Sequence, residues 1–136
     1  VTVKEGEIET PIDTVSVLIV DDQAPFRAAA RTVIVVSPGF DVAGEAESGE
    51  DAVAQAESLR PDLVLMDINL PGINGIEATR QITTANPGTV VILMSTYRAE
   101  DLPADAMDSG AAAYVHKEDF GPAIVRQIWD EHHTTS

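Results

Sequence analysis

Three aspartates, a serine and a lysine each stand at the end of a run rich in apolar residues. Asp67 closes Leu63-Val64-Leu65-Met66, and Asp21 and Asp22 close Val15-Ser16-Val17-Leu18-Ile19-Val20. Ser95 closes Val90-Val91-Ile92-Leu93-Met94, and Lys117 follows Ala113-Tyr114-Val115-His116. Short runs of this kind read as buried strands of a parallel sheet. Open α/β sheets place their chemistry at the carboxyl ends of such strands. One rim is thus expected to collect three carboxylates, a hydroxyl and an ammonium.

Three carboxylates held together repel one another. A like-charge pair at ~4 Å costs about 1 kcal/mol in water and about 4 at an effective dielectric of 20. Such a set calls for a cation. With oxygen ligands only and no cysteine in the chain, a hard divalent ion such as Mg2+ fits, usually shared with a phosphate. Lys117 neutralises a further charge, and the Ser95 hydroxyl suits a phosphoryl oxygen. The set reads as a site where a phosphoryl group reaches a carboxylate beside a metal ion and an ammonium. Each residue alone also has an ordinary reading. Asp22 caps a helix, Asp67 starts a loop, Ser95 and Thr96 merely end a strand, and Lys117 is solvated surface. These readings weaken together, because every position follows an apolar strand at the same sheet edge.

The elements that must carry these residues alternate strand with helix. Strands are expected at about 15–20, 41–45, 62–66, 89–94 and 112–115. A first helix starts near Pro25, a residue suited to a first turn, and stops at Pro38-Gly39. Ser48 is the expected N-cap of a second helix through Leu59, with Glu50 and Asp51 in its favourable first turn. A third runs over about 76–85, a fourth over about 99–109 with Gly110 as its left-handed stop, and a fifth over about 120–132. Pro103 should make the fourth helix short or irregular at its start. Five strands, each followed by a helix, predict a doubly wound parallel sheet of order 2-1-3-4-5, with the switch point beside strands one and three. Residues 1–14 read as a flexible N-terminal tail, 15–132 as one domain, and 133–136 as a C-terminal tail.

The chain has 136 residues and a net charge of -15, with only eight basic residues. That balance opposes nucleic-acid binding, which needs clustered Lys and Arg against phosphates. No apolar run approaches a membrane span and no signal peptide is visible, so the expected compartment is the cytoplasm.

With these residues in order, the chain resembles the receiver domain of two-component response regulators, over about Ser16 to Trp129. The resemblance rests on Val17-Leu18-Ile19-Val20-Asp21-Asp22, on Met66-Asp67-Ile68-Asn69-Leu70-Pro71-Gly72-Ile73-Asn74-Gly75-Ile76-Glu77, on Ser95, and on Ala113-Tyr114-Val115-His116-Lys117. It implies a flavodoxin-like (βα)5 fold and a phosphorylation-dependent switch. Asp67 would accept the phosphoryl group from a sensor histidine kinase. Asp22, Asp67 and the backbone carbonyl of Asn69 would bind Mg2+ directly, and Asp21 mostly through water. Lys117 would pair with Asp67 and then with the phosphoryl group. Ser95 would swing toward the phosphoryl oxygen and Tyr114 would turn inward behind it, altering the face of helix four, strand five and helix five, a face that also implies a homodimer. Asn69, Thr96 and Tyr97 occupy positions that tune access of water to the phosphoryl group. Such a protein is not a conventional enzyme and catalyses only its own phosphorylation and dephosphorylation.

Phe26-Arg27, Pro38-Gly39-Phe40, Gly44-Glu45-Ala46, Leu59-Arg60-Pro61-Asp62 and Glu77-Ala78-Thr79-Arg80 resemble the LuxR/NarL-type branch, whose members usually carry a helix-turn-helix output domain. The expectation is a stand-alone receiver or the N-terminal domain of a transcriptional regulator. Glu118 stands where many receivers have a proline in a cis bond, which bears on the placing of Lys117. His116 is expected to be structural or on the surface. Three other functions compete. A phosphohydrolase of the haloacid-dehalogenase type would need an acid two residues after Asp67, where Asn69 stands. A flavin or nucleotide binder would need a glycine-rich turn after strand one, where Asp21-Asp22-Gln23-Ala24-Pro25 stands. A degenerate receiver acting only as a binding module would not need the intact acid set.

Overall fold

Five strands lie parallel in one sheet of the computed structural model, which describes residues 14–132. They are β1 Val15–Val20, β2 Phe40–Ala46, β3 Leu63–Asp67, β4 Val90–Ser95 and β5 Ala113–His116. The order is β2-β1-β3-β4-β5, as expected from the alternation of elements. β3 and β4 are buried along their whole length, which is why their sequences are continuous apolar runs rather than alternating ones.

Neighbouring residues in those strands serve opposite faces. Val17, Ile19, Leu63, Leu65, Ile92 and Met94 pack on one side, and Leu18, Val20, Val64, Met66, Val91 and Leu93 on the other. The first side is covered by α1 (Ala24–Val35), through Ala30 and Ile34, and by α4 (Pro122–His132), through Val125 and Ile128. The second is covered by α2 (Gly49–Leu59), through Ala52, and by α3 (Gly75–Ala85), through Ile76, Ala78 and Ile82. Burying each large side chain contributes about 1.5–3 kcal/mol. The pleat therefore fixes which side chains leave the strand ends on which side.

Local signals set the helix starts. Pro25 lies in the first turn of α1. The N-cap of α1 is Gln23 with no side-chain bond, so Asp22 does not cap it. Ser48 caps α2 by accepting from the Asp51 N–H at 3.1 Å, and Asn74 caps α3 by accepting from the Glu77 N–H at 2.9 Å. The tails at 1–14 and 133–136 lie outside the described residues, apart from Thr14.

The expected fourth helix is absent. A single 3-10 turn, Ala99–Asp101, is followed by a succession of turns up to Gly110. Its backbone bonds reach three residues rather than four: Asp101 to Arg98, Ala106 to Pro103, and Asp108 to Asp105. Pro103 lacks the N–H that a helix from Ala99 requires and clashes with the preceding turn. Between Pro103 and Gly110, Asp105, Asp108 and Ser109 are poor helix formers whose side chains compete for the backbone. Ala106 is buried there while Met107 is 54% exposed, so few apolar anchors offset the cost of nucleation. Gly110 (φ +100°) does turn left-handed, but it ends a run of turns rather than a helix.

Gly75 ties the fold to the rim. Its N–H donates to the Ile68 carbonyl at 2.8 Å, and a Cβ built on it would sit 2.0 Å from the Asp67 carbonyl oxygen. Only a residue without a side chain lets α3 start this close to the end of β3. Gly75→Ala is expected to lower unfolding stability by about 2 kcal/mol, read as a lower urea midpoint. Gly121→Ala, where nothing lies within 4 Å of the added Cβ, serves as the control that should barely move. Equal midpoints for the two would show that the loop after β3 yields freely.

Candidate functional site

The ends of β1, β3, β4 and β5 meet at one rim. Asp21 and Asp22 follow β1, Asp67 is the last residue of β3, Ser95 the last of β4, and Lys117 follows β5. Asp67 is 4% exposed and Asp21 fully buried, while Asp22 faces solvent. One carboxylate oxygen from each of the three lies within 4.8 Å of the others.

Lys117 is shared unequally. Its Nζ lies 2.6 Å from Asp21 Oδ2 and 3.6 Å from Asp67 Oδ2. The sequence expectation paired it with Asp67; the nearer partner is Asp21. The other Asp21 oxygen, Oδ1, accepts from the Gln23 N–H at 2.8 Å. Lys117 Nζ also stands 4.5 Å from the centre of the Phe26 ring, a cation–π contact. Phe26, on the first turn of α1, is a site neighbour that the spacing of charged residues does not reveal. No peptide bond among the described residues is cis, so Lys117–Glu118 is trans.

Burial pushes the Asp67 carboxyl up to about 6. The neighbouring negative charge of Asp21 adds to the rise, while the Lys117 ammonium and the Asn69 N–H, 3.3 Å from Asp67 Oδ1, oppose it. Burial and an adjacent like charge thus hold the acid at the edge of ionisation. The three clustered carboxylates are what a cation would fit. Three oxygen donors with no sulfur or nitrogen suit a hard divalent ion.

The hydroxyl side of the rim forms a chain. Tyr114 OH lies 2.9 Å from Ser95 Oγ and is hydrogen-bonded to the Tyr97 carbonyl. The carbonyl can only accept, so the Tyr114 proton goes there and the Ser95 proton goes to the Tyr114 oxygen. Ser95 Oγ itself accepts from the Tyr97 N–H at 2.9 Å. The Tyr97 phenol then donates to Asn69 Oδ1 at 3.2 Å, crossing from the loop after β4 to the loop after β3. Thr96 is exposed at the same loop. Tyr97 and Asn69, expected to govern access, are therefore bonded to each other. His116, expected to be structural or at the surface, is half-buried and bonded at both ring nitrogens.

The family model for the response regulator receiver domain matches residues 17–128. The chain belongs to the response regulator receiver family. Response regulator UvrY of Escherichia coli is 41% identical over 114 residues, covering 84% of this chain and 52% of that protein. Transcriptional regulatory protein DegU of Brevibacillus brevis is 33% identical over 114 residues, covering 84% of this chain and 48% of that protein. The receiver thus spans about half the length of these curated relatives. Among solved structures, a LuxR-family two-component response regulator from Aurantimonas superposes with a TM-score of 0.78 at 31% identity, covering 90% of each chain. The CheX–CheY complex of Borrelia burgdorferi gives 0.74 at 29% identity, covering 90% of this chain and 97% of that one. Relatives of the LuxR type agree with the branch read from the sequence. No helix among the described residues is long and apolar enough to cross a membrane.

The raised Asp67 carboxyl makes the receiver's stability depend on pH when no metal is present. The folded state holds this proton more tightly than the unfolded chain, whose reference value is 3.8. The penalty is absent below that value, grows as pH rises toward about 6, and is complete above it. Urea unfolding in chelator should show Asp67→Asn gaining stability over wild type through this window, by roughly 2–3 kcal/mol at neutral pH. Parallel pH curves for the two proteins would mean that Asp67 carries no such strain.

Proposed function

We propose that this receiver is a phosphorylation-dependent switch whose acceptor is Asp67 and whose phosphoryl donor is a sensor histidine kinase. The observation that carries this reading is the near-buried Asp67 carboxylate at the end of β3, with Asp21, Asp22 and the Lys117 ammonium gathered on it. A carboxylate oxygen of Asp67 attacks phosphorus, the P–O bond forms as the P–N bond of a phosphohistidine breaks, and the donor imidazole leaves with its electron pair. Asp21, Asp22, Asp67 and the Asn69 carbonyl would hold Mg2+, which when bound offsets the negative charge of the acids and the phosphoryl oxygens. Support comes from a relative: the Borrelia CheY complex was solved with BeF3 and Mg2+.

The chain's own residues divide the remaining work. Lys117, held between Asp21 and the Phe26 ring, has Asp67 within reach and turns from carboxylate to phosphoryl oxygen. Ser95 redirects its hydrogen bond from Tyr114 to the phosphoryl group, which removes one of the bonds that hold Tyr114 in place. Tyr97 on Asn69 covers the approach and limits water at the acyl phosphate. Chemistry of this kind is turnover of the protein's own aspartyl phosphate rather than conversion of a free substrate. The acidic rim and net charge of -15 make this piece a signal carrier that does not itself hold nucleic acid. In a longer protein of the kind it matches, it would regulate transcription through another domain.

Intact mass after incubation with acetyl phosphate and Mg2+ tests the reading. One phosphoryl should be gained, labile to hydroxylamine, dependent on metal and absent from Asp67→Asn. No gain in wild type would leave a binding module with a receiver fold. The output surface would comprise residues 99–110, β5 and α4, and would pair two copies. Light scattering should show a mass increase with beryllofluoride and Mg2+, and an unchanged mass would remove the dimer from the scheme.

A further inference from the structure

The His116 imidazole joins the two arms of the rim that the acid cluster does not itself connect. His116 ends β5 and is paired in register with Ser95 of β4. Its Nε2 lies 3.0 Å from the Thr96 carbonyl oxygen, and its Nδ1 lies 3.1 Å from the Glu118 backbone nitrogen. A carbonyl only accepts and a backbone N–H only donates. The ring is therefore the neutral tautomer with its proton on Nε2, and Nδ1 is the acceptor that starts the 3-10 turn Lys117–Asp119. One bond holds Thr96, which directly follows Ser95 at the end of β4, and the other holds the turn that carries the Lys117 ammonium. A proton added at Nδ1 would face the Glu118 N–H, donor against donor, and only the Nε2 bond survives that.

We propose that His116 is a positioning residue for phosphoryl transfer, and that protonation of its ring releases the Lys117 turn and weakens the site. The charges around the ring are defined. A cavity of about 400 Å³ beside it is lined by Tyr114, His116, Glu118 and Asp119, so a protonated ring has two carboxylates to turn toward. On the β4 side the nearest cation in sequence, Arg98, is paired with Glu100 at 3.7 Å, and on its own strand end Lys117 is engaged by Asp21. The proposal rests on Asp67 being the acceptor, and acts through Thr96 and Lys117 rather than by touching the phosphoryl group.

The test is the rate of phosphoryl incorporation from acetyl phosphate at saturating Mg2+, measured between about pH 5 and 8, where imidazoles change charge. Wild type is compared with His116→Asn, which keeps an acceptor near the Nδ1 position, and His116→Gln, which keeps a donor near Nε2; neither titrates. Relative to His116→Asn, the wild-type rate should fall about three- to tenfold toward the acid end, the loss of one hydrogen bond. His116→Gln should be slow throughout with no such fall. In the unmodified protein, the Glu118 amide shift in NMR should move with protonation of the ring, at the same midpoint as the ratio of the wild-type to the His116→Asn rate. Wild type and both variants sharing one pH profile, or a Glu118 amide indifferent to the titration, would overturn the proposal. Failure of wild type to form any Asp67-dependent adduct would instead overturn the phosphoacceptor reading.

Discussion

The rim of the sheet is held by one ammonium distributed between two carboxylates. Lys117 Nζ touches Asp21 at 2.6 Å and stays 3.6 Å from Asp67, a division with a physical cause. Asp21 is fully buried and takes a backbone N–H on its other oxygen, so it needs the nearest cation. Asp67 receives what remains of that charge, and burial together with the Asp21 charge raises its carboxyl to about 6. Moving Lys117 onto Asp67 would leave a buried Asp21 carboxylate short of a partner, which costs more than the weaker contact forgone. The cluster thus holds more negative charge than its one ammonium offsets, and the more weakly paired carboxylate is Asp67.

The fold exists to hold that excess. β1 and β3 are adjacent at the switch point, so Asp21 and Asp67 are brought together by strand pairing rather than by flexible loops. Gly75 then lets α3 begin against the Asp67 backbone carbonyl, which ties the end of β3 to the start of that helix. Helices on both faces bury the strands that deliver the charges, and like charges stay close because separating them would mean unpacking the core.

Much of this was legible in the sequence because strand ends announce themselves. Where a run rich in apolar residues meets Asp21, Asp67 or Lys117, the apolar stretch stops at a defined residue, and the alternation of elements pointed to a doubly wound parallel sheet. The fourth helix does not form because the backbone preferences of Pro103, Asp105, Asp108 and Ser109 prevail over a stretch with few apolar anchors. Pairings were harder to see. That Lys117 belongs first to Asp21, that Phe26 supplies a ring face to it, and that His116 is bonded at both nitrogens all depend on distances across strands that spacing along the chain does not encode. Phe26 left a trace as part of the Phe26-Arg27 pair, but its role as a cation's neighbour needs the fold.

The hydroxyl chain and the charge cluster answer different demands, and their meeting gives the rim its two states. Ser95, Tyr114 and Tyr97 satisfy one another through neutral hydrogen bonds, and the Tyr97 phenol ends on Asn69. Each of these bonds is worth about 1 kcal/mol net. A hydrogen bond to a charged group contributes roughly 1.5–3. On the proposed reading, a phosphoryl oxygen beside Asp67 therefore outcompetes Tyr114 for the Ser95 hydrogen bond, and the phenol oxygen loses that donor while keeping its own bond to the Tyr97 carbonyl. Because Tyr114 is only half-buried, it has somewhere to go. The segment after Tyr97 is built of short turns rather than a helix, so it resists that movement less than a packed helix would. On that reading the signal is a change in which oxygen accepts the Ser95 hydrogen bond, carried outward by the least regular part of the fold.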